Sequence, residues 1–237
     1  MKFNHTITIL FLCLLSIEIS AQKPQSFLGL SGGVAIPQND FASDDTDSKE
    51  SGFAKTGFGF KVTYDYRMSY NFGIAGVLII NSNPWNDEAL FDGIIKDSIL
   101  SNQLSISKSN WSTFGMLAGP FLYLPVNDAI SIDMRMLIGF YNAFAPEIIV
   151  SGTLANGENF SLRLLKYNGI GFVWDLGTTL RVKITDKKYF IVGADYLSST
   201  IHFKDIDRAD DNGQIITESF SQQFTTISVM AGLCFTF

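Results

Sequence analysis

The chain has 237 residues, of which 46% are hydrophobic, 14% aromatic and 17% charged, and its formal net charge is −6. An acidic chain of this kind does not fit nucleic-acid binding, which requires a basic surface. Residues 22–237 hold no apolar run of 18 or more residues and a single cysteine, Cys234, so the sequence argues against a helical membrane protein and excludes an intrachain disulfide there.

The first residues have the composition of an export signal. Lys2 precedes an apolar run over 7–17, and small residues follow at Ser20 and Ala21. This order predicts a secretory signal peptide over 1–21 that is removed by cleavage after Ala21. The mature protein, residues 22–237, is then expected to form one domain.

Eight segments of the chain alternate between large apolar residues and small, polar or charged ones. In 169–184, seven of the eight even-numbered residues are large and apolar, whereas the odd-numbered positions include Asp175 and Arg181. A period of two is typical of a β-strand, because successive side chains point to opposite faces. In chain order the predicted strands cover 26–36, 55–66, 71–81, 111–124, 130–141, 169–184, 189–199 and 222–237. Within the fourth strand, Pro120 predicts a bulge or a missing ladder bond.

The connections between these strands alternate strictly between long and short. The short ones are 67–70, 125–129 and 185–188, and the long ones include 82–109, 142–165 and 202–221. Short turns at one rim, long loops at the other and an even number of strands are typical of outer-membrane barrels. The sequence therefore predicts an all-β fold: an eight-stranded antiparallel up-and-down transmembrane β-barrel with short periplasmic turns and long extracellular loops.

The apolar face of each strand is expected to contact lipid. Twelve side chains represent this lipid-facing set: Phe58, Phe60, Ile132, Met134, Ile170, Phe172, Trp174, Leu176, Leu180, Val229, Leu233 and Phe235.

The opposite face collects an equal number of acidic and basic residues. The predicted interior ionic network consists of Lys61, Asp65, Asp133, Arg135, Asp175, Arg181, Lys183 and Asp195. Buried charges need partners, and an eight-stranded barrel is only just wide enough for its side chains to fill. We therefore expect a plugged barrel and not an open pore, with the inward glycines leaving room for the charged side chains.

Three features resemble those of small outer-membrane barrels from the Bacteroidetes lineage, the group that includes PorT-like and OmpA/OmpX-like families. They are the glycine-rich start over 29–43, the strand, turn and strand over 119–140, and the terminal aromatic residue Phe237. The resemblance implies localisation in the outer membrane of a Gram-negative cell, contact with outer-membrane lipid and recognition of Phe237 by the barrel-assembly machinery. It transfers no catalytic residue, and a PorT-like part in secretion is one role within the group.

The function that follows is non-enzymatic: a membrane anchor that contacts an envelope or extracellular partner through its loops, without cofactor or metal. The alternative is a lipid A-modifying enzyme that uses His202 with a nearby serine, Ser198 or Ser199, and Asp205. Acidic residues cluster over 44–47 and 205–213, but their spacing is not that of an EF-hand, so solvated loops are expected there.

A soluble, lipocalin-like ligand-binding barrel is the alternative on fold. It would turn the apolar faces inward and place Asp175, Arg181 and Lys183 on the outside. The uniformly large apolar residues of the second, fifth and sixth strands would overfill such a small barrel, so the lipid-facing arrangement is preferred.

Overall fold

The computed structural model describes residues 25–45, 48, 50–88, 100–154, 159–164, 167–209 and 215–237. The predicted signal peptide, 1–21, lies outside these residues. Among the residues described, no helix is long and apolar enough to cross a membrane.

Most of the described residues belong to β-strands. The strands are β1 (Gln25–Gln38), β2 (Gly57–Arg67), β3 (Phe72–Asn83), β4 (Leu100–Lys108), β5 (Trp111–Pro125), β6 (Ile130–Phe144), β7 (Ile148–Leu154), β8 (Asn159–Leu164), β9 (Asn168–Thr185), β10 (Lys188–Ala209) and β11 (Ile215–Thr236). A short 3₁₀ helix, Asn39–Phe41, follows β1.

Eight of these strands close into a barrel in the order β1, β2, β3, β5, β6, β9, β10, β11. Every neighbouring pair is antiparallel, and β11 returns to pair with β1 from Phe27↔Thr236 to Gln38↔Thr225. Closure gives each barrel strand a neighbour on both sides, except where β10 continues past Phe203 and where β11 precedes Thr225. The predicted eight-stranded up-and-down barrel is confirmed.

Pro120 interrupts the ladder between β5 and β6 without shifting it. The pairs Ala118↔Ile138 and Phe121↔Arg135 on either side keep the same register. Since proline has no backbone N–H, a ladder bond is lost and no bulge is needed. Of the two predicted consequences, the missing bond is the correct one.

The two rims of the barrel differ as expected. Short turns over 68–71, 126–129 and 186–187 lie at one rim, together with the first residue of β1 and the last of β11. We call this the short-turn rim, and we call the opposite end, where the long connections lie, the long-loop rim.

The long connections hold more regular structure than the sequence predicted. Strands β4, β7 and β8 form a separate three-stranded sheet at the long-loop rim. The expectation that 202–221 is a polar loop is wrong, because β10 runs on to Ala209 and β11 begins at Ile215. These two strands pair from Lys188↔Phe235 to Ala209↔Ile215, with one shift between Phe203 and Ile206, so the final hairpin extends far beyond its predicted length.

Candidate functional site

The outer wall of the barrel is covered by large apolar side chains. All twelve side chains predicted to face lipid lie on this wall; Ile132 and Phe235 are half-buried and the others are exposed, Phe58 by 73%. The apolar set runs from Ile132 to Phe140 on β6 and from Phe114 to Leu124 on β5. At about 3.3 Å per residue and a tilt of about 40°, it forms a band roughly 20–25 Å tall.

The interior begins, near the short-turn rim, with a layer built around one arginine. The Arg181 guanidinium donates to the carboxylates of Asp65 and Asp133 and lies 3.0 Å from the Cys234 sulfur. It also stacks over the Phe27 ring, 4.4 Å from the centroid. Arg181 and its two carboxylates are buried, so each desolvated charge in this layer has a partner of opposite sign.

A second layer lies above the first and is organised around one aspartate. Asp195 accepts from Arg135 and, at 2.5 Å, from the Lys61 ammonium. Arg135 also donates to the Thr179 hydroxyl at 3.0 Å, and its Nε lies 3.9 Å from the Asp175 carboxylate. Four strands, β2, β6, β9 and β10, therefore meet through one buried cluster.

A glycine makes room for this second layer. A Cβ on Gly177 would overlap the Asp195 carboxylate and lie 2.7 Å from Nε of Arg135. A side chain at position 177 would therefore collide with both charged groups. The ion pair between Asp195 and Arg135 fits against β9 because that strand has a glycine there.

Lys183 does not belong to the interior, contrary to the prediction. Its side chain is 35% exposed and pairs with Asp186 of the adjacent turn at 2.8 Å. Lys183 lies two residues before the end of β9, next to the β9–β10 turn. Its position in the alternation is that of an inward residue, but at this end of the strand the side chain is no longer enclosed by the barrel. The other seven predicted residues all lie inside the barrel.

The two charged layers leave little space between them. A cavity of about 10 Å³ lies between the two charged layers, lined in part by Ser31, Thr63 and Gly193. This is room for about one water molecule. Described residues of the interior thus form a plug between the two rims.

Above the charged layers, the interior changes to a neutral network and then to aromatic residues. The Tyr141 hydroxyl accepts from Asn81 at 3.1 Å and lies 2.7 Å from the Thr113 hydroxyl. The mouth is closed by an aromatic cluster of four buried side chains, hereafter the cap: Phe41, Trp111, Phe203 and Phe224.

Hydrogen bonds hold the connection between β1 and β2 against the cap and the neighbouring strand. The Trp111 indole N–H donates to the Gly52 carbonyl at 2.8 Å, and the Gln222 amide donates to the Glu50 carbonyl at 2.6 Å. Ala54 and Trp85 form an isolated bridge that joins this connection to the next one. Sequence reasoning missed the cap, because its members come from segments far apart in the chain.

His202 lies on the outer face of β10 and is exposed. Its Nδ1 is 2.7 Å from the hydroxyl of Ser221, directly across on β11. Of the serines considered in sequence, Ser199 donates to the Phe172 carbonyl and Ser198 lies 3.4 Å from the Thr225 hydroxyl, so neither contacts His202. The side chain of Asp205 lies outside the described set.

Metal ligation receives no support from the residues described: no group of three or more His, Cys, Asp or Glu among them is placed to hold an ion. The acidic segments over 44–47 and 205–213 lie partly outside the described residues.

These features define a closed eight-stranded barrel with an apolar outer wall and a charged, filled interior. The lipocalin-like alternative is wrong, because Asp175 and Arg181 are buried inside and the apolar faces are exposed outside.

No protein-family model matches the sequence, and no curated protein matches it. Solved structures that are similar in fold include the following three. Ail, the attachment invasion locus protein of Yersinia pestis, in complex with the heparin analogue sucrose octasulfate, is 14% identical over 91% of this chain and 100% of that chain, with a TM-score of 0.44. Neisserial surface protein A is 10% identical over 91% and 100%, with a TM-score of 0.44. OprG of Pseudomonas aeruginosa, an outer membrane protein, is 12% identical over 93% and 99%, with a TM-score of 0.44.

Proposed function

We propose that this chain is a non-enzymatic integral outer-membrane protein, a transmembrane barrel that is closed to solutes and anchors a loop surface on the outside of the cell. The observation that carries the proposal is the inversion of the usual soluble-protein arrangement. Arg181, Asp195 and their partners are buried, while side chains such as Phe58 and Phe140 are exposed by 73% and 68%. A surface of this kind is favourable in hydrocarbon and unfavourable in water.

The height of the apolar band supports the same environment. Roughly 20–25 Å agrees with the apolar band of about 25 Å that outer-membrane barrels present to lipid. Closure of the sheet gives the barrel strands a hydrogen-bonding neighbour on both sides without water, which the hydrocarbon layer requires, and Pro120 is a position where the wall loses a ladder bond to proline.

The topology and the chain ends complete the proposal. The short-turn rim faces the periplasm and the long-loop rim faces outward, as is usual for such barrels. Residues 1–21 direct export and are removed, and Phe237, which is 77% exposed at the end of the chain, is the residue that the barrel-assembly machinery reads. The resemblance carried by residues 29–43 and 119–140 supports a place within the Bacteroidetes barrel group that includes PorT-like proteins.

Gel migration with and without boiling tests membrane insertion. The full chain should fractionate with the outer membrane, and its band in detergent should shift on heating because the closed barrel unfolds only when boiled. Recovery in the soluble fraction without a heat-dependent shift would contradict the proposal.

The plug and the absence of catalysis are tested on the same preparation. Added to a planar lipid bilayer, the protein should give no conductance above that of the detergent alone, because the two charged layers and the cap fill the barrel. Stepwise conductance would show that the plug opens. Incubation with lipopolysaccharide should release no fatty acid, and a release that His202→Ala abolishes would establish the enzymatic alternative.

A further inference from the structure

The polarity of the two faces of β10 reverses near Ser198. Before it, the outward residue Tyr196 is exposed and apolar in character, while the inward residue Asp195 is charged. After it, the outward residue Thr200 is polar and exposed, while the inward residue Ile201 is fully buried. The outer wall of this strand therefore leaves its apolar environment at about Ser198.

Strand β11 reverses at the same height. Its outward residues change from Ile227, which is 37% exposed, to Gln223 and Ser221, which are exposed and polar. Its inward residues change from Ser228 to Phe224, and both are buried. Two paired strands that reverse together mark the edge of the apolar band on this side of the barrel.

Directly above that edge lies a compact set of polar, hydrogen-bonding side chains, Thr200, His202, Ser221 and Gln223, hereafter the polar patch. The register pairs Thr200 with Gln223 and His202 with Ser221, so that the four side chains form two adjoining rows on the outer wall. All four are exposed, and a hydrogen bond of 2.7 Å joins the side chains of His202 and Ser221.

Apolar side chains border the polar patch on β9. Phe172 lies opposite Thr200 and Ile170 opposite His202, and each is 58% exposed. Below them the rings of Trp174 and Tyr196 pack together, 5.4 Å between centroids. An apolar wall therefore leads up to, and continues beside, a set of hydroxyl, amide and imidazole groups.

We propose that the polar patch binds the sugar-phosphate headgroup of an outer-leaflet glycolipid whose acyl chains lie on the Trp174–Tyr196 wall. This inference depends on the proposed function, since it requires the long-loop rim to face outward. Hydroxyl, amide and imidazole groups match the hydroxyls of a sugar, and Phe172 offers an aromatic face beside them. Lys204, exposed two residues after His202, supplies the cation for a phosphate.

Binding of lipopolysaccharide labelled with a fluorophore on its sugar tests the proposal. The full chain is inserted into phospholipid vesicles, and energy transfer from its tryptophans to the label gives the apparent affinity. A triple variant, Thr200→Ala, His202→Ala and Gln223→Ala, should bind at least about tenfold more weakly, because three hydrogen-bonding groups are lost. All three side chains are exposed, so the variant should keep the heat-dependent gel shift of the folded barrel.

The matched control lies on the opposite wall. In the order of the ring, β3 and β5 are diametrically across from β10 and β11, and Ser82 and Ser112 are paired polar residues on their outward faces. Ser82→Ala with Ser112→Ala should leave the affinity unchanged. Equal affinities of the triple variant and the unsubstituted chain, an equal loss in the control, or full competition by phosphatidylglycerol would each overturn the proposal. Failure of the proposed function itself would be distinct, because the unsubstituted chain would then not insert or shift on heating.

Discussion

The two aspartates of the second interior layer should differ sharply in their contribution to stability. Asp195 accepts from Lys61 and Arg135, and all three side chains are at most 5% exposed. Asp175 is also buried, but its ion pair with Arg135 is 3.9 Å long. Among the described residues, the interior holds four buried acidic side chains, counting Asp65 and Asp133, against three basic ones. Neutralising Asp175 therefore balances the charge, whereas neutralising Asp195 removes the acceptor of two cations.

We expect Asp195→Asn to lower the free energy of unfolding by about 3 kcal/mol. Removing one partner of a buried ion pair costs about 3–5 kcal/mol, and the proximity of Asp175 to Arg135 places the loss at the lower end. Asp175→Asn, the matched control with the same change of atoms, should cost less than about 1 kcal/mol. Reversible urea unfolding in phospholipid vesicles, followed by tryptophan fluorescence, measures both. Equal losses, or a larger loss for Asp175→Asn, would refute the assignment of Asp195 as the centre of the layer.

Three further predictions concern the space in the interior, the cap and one surface ion pair. Gly177→Ala should destabilise the barrel by about 1–3 kcal/mol in the same urea assay, because its methyl group would occupy the position where Asp195 and Arg135 meet. Trp111→Phe keeps an aromatic ring but loses the hydrogen bond to the Gly52 carbonyl, so the connection after β1 should become cleavable by protease in intact vesicles. The Lys108 ammonium, by donating to Asp87, holds the pKa of that carboxyl below its usual range, and Lys108→Ala should raise it, as measured by carboxyl NMR titration.

Each of these has its own control and contrary result. Gly76→Ala faces outward with no neighbouring atom closer than 4.0 Å to its Cβ, and a loss as large as that of Gly177→Ala would contradict the crowding argument. Trp174→Phe, on the outer wall, should leave proteolysis unchanged. Equal cleavage of the Trp111→Phe and Trp174→Phe variants would contradict the role of the Trp111 indole in holding the connection after β1.

For Asp87, the sign follows from its depressed pKa. The ion pair contributes stability above the ordinary aspartate value of about 3.9 and loses it as the pH falls through the lower folded-state pKa. An unchanged titration of Asp87 in the Lys108→Ala variant would contradict the contact.

The barrel itself could be predicted because, over the height of the apolar band, every strand has apolar surroundings on its outer face and a polar interior on its inner face. In β9, outward apolar residues alternate with inward small, polar or charged ones, with Thr178 outward and Val173 inward as exceptions, so the period of two is visible without any knowledge of the partners. The same pattern identified seven interior charges, since a charged residue on the face opposite the apolar set must point into the barrel.

The extension of β10 was missed for a physical reason. The prediction ended this strand at Ser199, where outward apolar residues stop, but the strand continues with Thr200 outward and Ile201 inward. Beyond the apolar band the surroundings of the barrel are polar and its interior is aromatic. The alternation of the strand therefore continues, but with polar residues facing outward and apolar residues facing inward. A search for alternation of either sign would have found it.

Lys183 and the cap show what local pattern cannot provide. Lys183 has the correct parity for the interior but lies at the end of the wall, where Asp186 of the turn is its partner. Phe41 and Phe224 meet with 4.5 Å between their ring centroids, although they are 183 positions apart in the chain, and only the closed ring of strands brings them together.

The orientation of the wall is tested most directly by quenching of tryptophan fluorescence with lipids that carry bromine on their acyl chains. Trp174 is 38% exposed on the outer wall, whereas Trp85 and Trp111 are each 5% exposed. In brominated vesicles the unsubstituted protein should be strongly quenched, and Trp174→Phe should remove most of that quenching. Quenching that is absent, or that Trp174→Phe leaves unchanged, would contradict a barrel whose apolar wall faces lipid.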